Sequence, residues 1–169
     1  MDLGMLLARV LHIGGGVFWV GAVVFTSVFL LPSIRDAGPE GARVVAGLQR
    51  RRYMDWLPAI ALITVLSGFY LYWKVSAGFA PAFMGSLPGM MYGTGSVTAL
   101  IALLLGLGIV RPSMLEAAAL SQQAPAEGAG RAEALARAQA LRARAGGVGR
   151  VVSLLLVLTT ITMAVARYL

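Results

Sequence analysis

The chain alternates between long apolar runs and polar segments that carry most of its arginines. Four runs come close to the roughly 20 residues that an α-helix needs to cross about 30 Å of hydrocarbon. They cover residues 5–31, 56–77, 91–110 and 151–168, and the polar loops between them cover residues 32–55 and 111–150. This pattern predicts an all-α integral membrane protein in which residues 1–169 form one domain, a four-transmembrane-helix bundle.

Both polar loops contain segments that favour a helix. Residues 42–53 are compatible with a short helix, and residues 131–144 are rich in Ala, Leu, Arg and Glu, which favours a helix up to a stop at Gly146–Gly147. The second segment is either a docking helix for a partner or an extension of the fourth helix at or above the headgroups. Residues 78–90, rich in Gly and Pro, predict an irregular loop.

The distribution of basic residues predicts the orientation. Eleven of the 14 basic residues lie in the two polar loops, and residues 78–90 carry no charge. The positive-inside rule then places both polar loops in the cytoplasm and both termini outside. We therefore expect a multi-pass protein of the cell (inner) membrane. The first residues lack the basic segment of a cleavable signal peptide, so we expect the first run to be retained as a helix.

The composition limits which binding partners and which kinds of chemical site are expected. Only 12% of the residues are charged, about half the share usual in soluble domains. The net charge of +7 lies largely in loops that flank apolar runs, which indicates attraction to anionic lipid headgroups and no role in nucleic-acid binding. We expect the bilayer as the main partner, with other membrane subunits or further copies of the chain beside it. The absence of cysteine excludes disulfides, thiolate metal sites and cysteine nucleophiles.

The only histidine lies inside the first apolar run. His12, Gly15, Gly16 and Trp19 are spaced i, i+3, i+4 and i+7, which places them on one helical face. Ionisable residues at this depth usually face a bundle interior or a cavity, and glycines allow another helix or a flat ligand to come close. A neutral imidazole is able to ligate haem iron or copper, or to relay a proton, or it is a structural histidine bonded to a neighbouring helix.

One histidine without cysteine excludes a bis-histidine haem and a conventional zinc site within a single chain. What remains is haem ligated by His12 alone, haem with methionine as second ligand, or copper bound with help from methionine. Met163 in the fourth run is the candidate second ligand, although methionine in an apolar helix is more often packing. Arg9 and Arg167 suit haem propionates or lipid phosphates, or they anchor the helix ends. A candidate Cu(I) entry site flanks the uncharged loop: Met84, Met90 and Met91.

Enzyme motifs are otherwise missing from the sequence. The apolar runs hold no paired carboxylates, and a Ser-His-Asp triad has no histidine other than His12. The triplet Gly14–Gly15–Gly16 lies within a membrane run, where packing explains it better than phosphate binding. The catalytic residues are therefore unknown, and the sequence leaves open whether the protein is an enzyme.

The first run carries a distinctive set of residues: a histidine early in the helix, then a tryptophan-plus-glycine step, then a proline at the exit. The residues are His12, Trp19, Gly21 and Pro32, and further matches are Pro58, Gly68 and the ending Met163–Leu169. In these residues the chain resembles the copper-resistance-D-like (CopD-like) membrane proteins and the related HemJ-like protoporphyrinogen oxidases. The resemblance covers most of the membrane part through short motifs.

The resemblance implies a cofactor at His12. HemJ-like proteins are associated with haem b and with oxidation of protoporphyrinogen, through a first-helix histidine and a third-helix lysine. His12 matches the histidine, whereas residues 92–99 contain no lysine and Lys74 lies in the preceding helix. CopD-like relatives are linked to copper uptake across the inner membrane.

Three hypotheses about function follow. The first is a redox membrane protein that binds haem b through His12, with the porphyrin admitted by Gly15 and Gly16. The alternative is a non-catalytic accessory or structural subunit of a larger membrane complex, with no cofactor of its own. The third is copper handling through the outer methionines.

Overall fold

The computed structural model describes residues 2–169, and this part of the chain is almost entirely helical with no β-strand. The helices are α1 (Leu3–Asp36), α2 (Gly41–Arg50), α3 (Tyr53–Val75), α4 (Pro81–Met84), α5 (Leu87–Gln123) and α6 (Ala129–Ala166). Four of them, α1, α3, α5 and α6, are long and apolar enough to cross a membrane. The prediction of an all-α protein with four membrane-length helices is confirmed.

Two of the long helices continue through a proline, a residue that usually ends or kinks a helix. A π-helical turn at Thr26–Leu30 precedes Pro32 in α1, and another at Gly106–Val110 precedes Pro112 in α5. Proline lacks the N–H that an α-helix needs and its ring clashes with the carbonyl four residues earlier. The wider π turn accommodates the ring, so the first run does not end at residue 31 as predicted.

The four long helices pack as two pairs. Helix α1 lies mainly against α3, and α5 lies mainly against α6. Small buried residues line the contacts, among them Ala61 and Thr64 on α3 and Ala99 and Ala102 on α5. Because lipid tails are as apolar as leucine, helices in a bilayer associate through such close backbone packing. The two pairs meet around a core formed by Trp19, Ala61, Ala102, Leu103 and Leu156.

Helix α6 is a continuous helix of 38 residues that passes through Gly146 and Gly147 without a break. The stop predicted at these glycines was wrong, because packing against α5 supports the helix across them. Ala117 on α5 and Ala138 on α6 are fully buried, and an ion pair of 2.9 Å joins Arg137 to Glu116. At 1.5 Å per residue, α6 is about 57 Å long, nearly twice the hydrocarbon thickness. Residues 131–144 therefore belong to an extension of the fourth helix.

Gly146 and Gly147, in the middle of α6, give a stability prediction. A methyl group at Gly146 or Gly147 would meet no atom within 4 Å. Because glycine costs up to about 1 kcal/mol relative to alanine inside a helix, the double variant Gly146→Ala/Gly147→Ala should raise the free energy of unfolding by about 1–2 kcal/mol. Denaturant titration of the detergent-solubilised protein measures it. A lower stability would contradict a continuous α6.

The segment between α3 and α5 is more ordered than its composition predicts. Ala77, Gly78 and Phe79 form a turn with positive φ values of 50°, 78° and 64°. Helix α4 follows, and the side chain of Ser86 caps the start of α5 by accepting a hydrogen bond from the backbone N–H of Gly89. The prediction of an irregular loop over residues 78–90 therefore holds only in part.

Candidate functional site

His12 lies on the face of α1 that contacts α3. Its Nδ1 atom is 2.8 Å from the backbone carbonyl oxygen of Thr64. A carbonyl oxygen only accepts hydrogen bonds, so Nδ1 carries the proton and donates it. In the neutral imidazole, Nε2 then keeps its lone pair. The contact between α1 and α3 thus selects one tautomer of the ring.

Gly68 makes room for the imidazole. A methyl group at Gly68 would lie 2.5 Å from Cε1 and 2.7 Å from Nδ1 of His12, distances that no real side chain tolerates. The ring therefore rests directly on the backbone of α3, one turn after the carbonyl that it binds. His12 is half-buried in this position.

The two glycines that follow His12 on the same face contact α3 as well. A methyl group at Gly15 would overlap the hydroxyl of Thr64, and one at Gly16 would lie 3.7 Å from its methyl carbon. The Thr64 hydroxyl in turn donates to the carbonyl of Ile60 at 2.8 Å. Helix α3 therefore fills the space beside Gly15, and this space does not admit a porphyrin. Trp19, only 5% exposed, belongs to the core between the two helix pairs.

The other ring nitrogen of His12 is accessible. Within residues 2–169, Nε2 makes no hydrogen bond, and every buried side-chain nitrogen or oxygen atom has a partner. Nε2 therefore reaches the surface of the helix pair. An unpaired lone pair at this depth of a bilayer is costly, so a ligand or another protein surface that binds it would be stabilising.

The other predicted site residues make contacts that do not involve the imidazole. Met163 on α6 packs against α5, where a methyl group at Gly95 would lie 2.9 Å from its Cγ. Arg9 is exposed one turn before His12, and the guanidinium of Arg167 stacks over the Tyr168 ring at 5.2 Å. His12 and Met163 are thus seated in different helix pairs, each against a glycine of the adjacent helix.

Lys74 lies at the end of the same helix pair, in the last turn of α3. Its Nζ atom lies 3.6 Å from the carboxylate of Asp2, which also caps the first turn of α1. The ammonium group lies over the rings of Tyr70 and Trp73 at 5.7 and 5.5 Å. Lys74 therefore joins α1 to α3 at the end nearest His12.

The three outer methionines differ in their contacts and in their exposure. Met84 on α4 accepts a hydrogen bond from the Tyr72 hydroxyl at 3.3 Å through its sulfur. Met90 is 52% exposed in the first turn of α5, and Met91 is half-buried. Over residues 2–169, no group of three or more His, Asp or Glu side chains is arranged to hold a metal ion.

Comparisons with known proteins add no further assignment. No family model, no curated protein and no solved structure matches the chain. The residue that sequence reasoning missed is Thr64, whose carbonyl binds the histidine. The sequence feature that could have identified Thr64 is its position one turn before Gly68, on the face of α3 that carries small residues.

Proposed function

We propose that the protein is a membrane redox protein that binds haem b through Nε2 of His12. The observation that carries the proposal is the hydrogen bond from Nδ1 to the Thr64 carbonyl, which leaves Nε2 free and accessible. Histidines that ligate metals almost always donate their other ring N–H to a carbonyl, a carboxylate or water, which fixes the tautomer and raises the basicity of the ligating nitrogen. The resemblance to HemJ-like proteins points to the same ligand.

The packing of α1 on α3 limits where the haem would be held. Since α3 fills the space beside Gly15, a porphyrin would bind on the accessible side of the imidazole. Arg9 is exposed one turn away and would be available to a propionate. A second copy of the chain or another subunit would cover the opposite face of the porphyrin. The haem would supply one-electron redox chemistry, while this chain holds and orients the iron ligand.

Absorption spectra of the gently solubilised protein, oxidised and dithionite-reduced, test the proposal. Wild-type protein should show a Soret band with α and β bands on reduction, and His12→Ala should lose them. Met163→Leu is the matched control and should keep them, since Met163 packs against Gly95. Imidazole added to His12→Gly should restore the band. A flat wild-type spectrum, in protein expressed with sufficient haem, would overturn the proposal.

A second candidate function is that of an accessory subunit of a larger membrane complex. The observation that favours it is the helical hairpin of α5 and α6, which extends beyond the apolar spans and carries exposed arginines such as Arg137. Co-purification with other membrane subunits after mild solubilisation, together with a spectrum that lacks a Soret band, would support this function.

Copper handling is the third candidate function. Loss of Cu(I) binding after replacement of Met84, Met90 and Met91 would support it.

The arginine-rich end is proposed to face the cytoplasm of the cell membrane. The chain has no cysteine, so single cysteines report topology directly. We expect Ala82→Cys, exposed on α4, to react with a membrane-impermeant maleimide in intact spheroplasts. Glu127→Cys, exposed between α5 and α6, should react only after permeabilisation. The reverse labelling pattern would invert the proposed orientation.

A further inference from the structure

A cavity that His12 does not line lies between the two helix pairs at the arginine-rich end. It measures about 120 Å³ and is not fully closed. Its deep wall includes Trp19, Ala61 and Ala102, all buried. Both π turns border it, through Ser27 on α1 and Gly106 on α5.

The walls of the cavity are mainly apolar, so an apolar molecule would bind there best. The hydroxyl groups at its edge are already bonded to the protein: Ser27 donates to the Gly149 carbonyl at 3.2 Å, and Thr26 and Tyr53 pair at 2.7 Å. An apolar cavity of comparable size with no free polar partners stays dry in water and takes up a hydrocarbon. In a bilayer, lipid acyl chains are the hydrocarbon in excess.

The arginine-rich end of the cavity is polar, and its one charged lining residue is Arg111. The amphipathic helix α2 closes this end with Leu48 and Gln49, and Arg111 of α5 also borders the cavity. Asp55 pairs with Arg111 at 3.0 Å and with Arg52 at 3.3 Å.

Two further arginines follow Gln49 directly in the chain. Arg50 and Arg51 are exposed, and neither has a carboxylate partner in the described part of the chain. Both lie in sequence between the cavity-lining residues Gln49 and Tyr53. An anionic headgroup at this end would lie beside the segment that carries these two unpaired arginines, while its acyl chain would contact mainly apolar walls.

We infer that this cavity binds one acyl chain of an anionic phospholipid, with the headgroup held by Arg50 and Arg51. The occupant follows from the combination of a mainly apolar interior with two unpaired arginines in the segment that follows the lining residue Gln49. The inference is independent of haem binding at His12, which does not line the cavity. Each unpaired arginine that engages the headgroup should strengthen lipid binding about fivefold.

The fluorescence of Trp19 reports directly on the cavity. Trp56 and Trp73 are 63% and 44% exposed, so surrounding lipid reaches them, whereas Trp19 is 5% exposed. The background variant Trp56→Phe/Trp73→Phe leaves Trp19 as the only tryptophan. The full chain is reconstituted in phosphatidylcholine vesicles that contain brominated phosphatidylglycerol or brominated phosphatidylcholine at equal mole fraction. Emission is expressed relative to unbrominated lipid in the same preparation, which cancels any quenching by haem.

A matched pair of glycines separates the cavity from the protein surface. Gly106 borders the cavity and Gly108 does not, both lie in the same π turn, and a methyl group at either would meet no atom within 4 Å. Gly106→Leu should fill the cavity and abolish quenching of Trp19. Gly108→Leu adds the same side chain outside the cavity. In this variant, brominated lipid should quench Trp19 as strongly as in the background variant.

The expected result is strong quenching by brominated phosphatidylglycerol. Half-maximal quenching should need at least about fivefold less of it than of brominated phosphatidylcholine. Arg50→Gln/Arg51→Gln should remove this preference. Equal quenching by both lipids would overturn the charge-selective site, and absence of quenching would show that no acyl chain enters the cavity. Either outcome is distinct from loss of the Soret band, which tests His12.

Discussion

Gly15→Ala should destabilise the protein by about 1–3 kcal/mol, whereas Gly14→Ala should not. The added methyl group at Gly15 would overlap the Thr64 hydroxyl, while a methyl group at Gly14 would meet nothing within 4 Å. Thr64 cannot simply turn away, because its hydroxyl donates to the Ile60 carbonyl at 2.8 Å. Relief of the overlap therefore requires α1 to move from α3 or Thr64 to lose its hydrogen bond.

Unfolding by denaturant titration in detergent measures both variants under identical conditions. Gly14→Ala is the matched control because it makes the same chemical change one residue earlier in the same helix. It should be neutral or more stable by up to about 1 kcal/mol, since alanine favours helices over glycine. Equal stability of the two variants would show that Gly15 does not form the close contact between α1 and α3.

Gly68→Ala should displace the imidazole of His12 and cost about 2 kcal/mol of stability. The new methyl group would lie 2.5 Å from Cε1, and the ring has α3 backbone directly beneath it. Moving the ring breaks the hydrogen bond from Nδ1 to the Thr64 carbonyl, which is the bond that selects the tautomer. The imidazole would then be free to carry its proton on either nitrogen.

The single histidine makes this change directly observable. Nitrogen-15 NMR of protein labelled at histidine should show one imidazole protonated at Nδ1 in the wild type. Gly68→Ala should shift that population toward the Nε2-protonated form. Gly21→Ala serves as control, because a methyl group there meets nothing within 4 Å, and it should keep the wild-type spectrum. An unchanged tautomer in Gly68→Ala would contradict the proposed role of the α1–α3 contact.

These two predictions concern one contact surface. Along the α1–α3 pair, Asp2 meets Lys74 at one end, His12 meets Thr64 further in, and Thr26 meets Tyr53 near the other end. The stability of the pair and the orientation of the imidazole therefore depend on the same small residues. A substitution that loosens the pair should weaken ligand binding at Nε2 even though it touches no ligand.

The four spans were predictable because crossing hydrocarbon requires a long apolar run, whatever its neighbours are. Their ends were less predictable. Pro32 indicates a helix end, but a π turn absorbs it, and Gly146–Gly147 indicates a stop, but contact with α5 carries α6 through. Local sequence signals give the intrinsic preference of a segment to form or to end a helix. This preference is small, about 1 kcal/mol for a glycine, so packing against another helix is enough to override it.

Four membrane-length helices, and a single imidazole that shares a helical face with two glycines, were predictable from the order of residues along the chain. Hydropathy and helical periodicity suffice for both, since each depends on neighbours along the chain. Three contacts required the tertiary structure: the packing of Gly15 and Gly16 against α3, the packing of Met163 against Gly95, and the hydrogen bond that the Thr64 carbonyl accepts from Nδ1 of His12. These choices depend on the register between helices distant in sequence. A periodic pattern shows which face is buried, but it leaves open which atom of the next helix meets it.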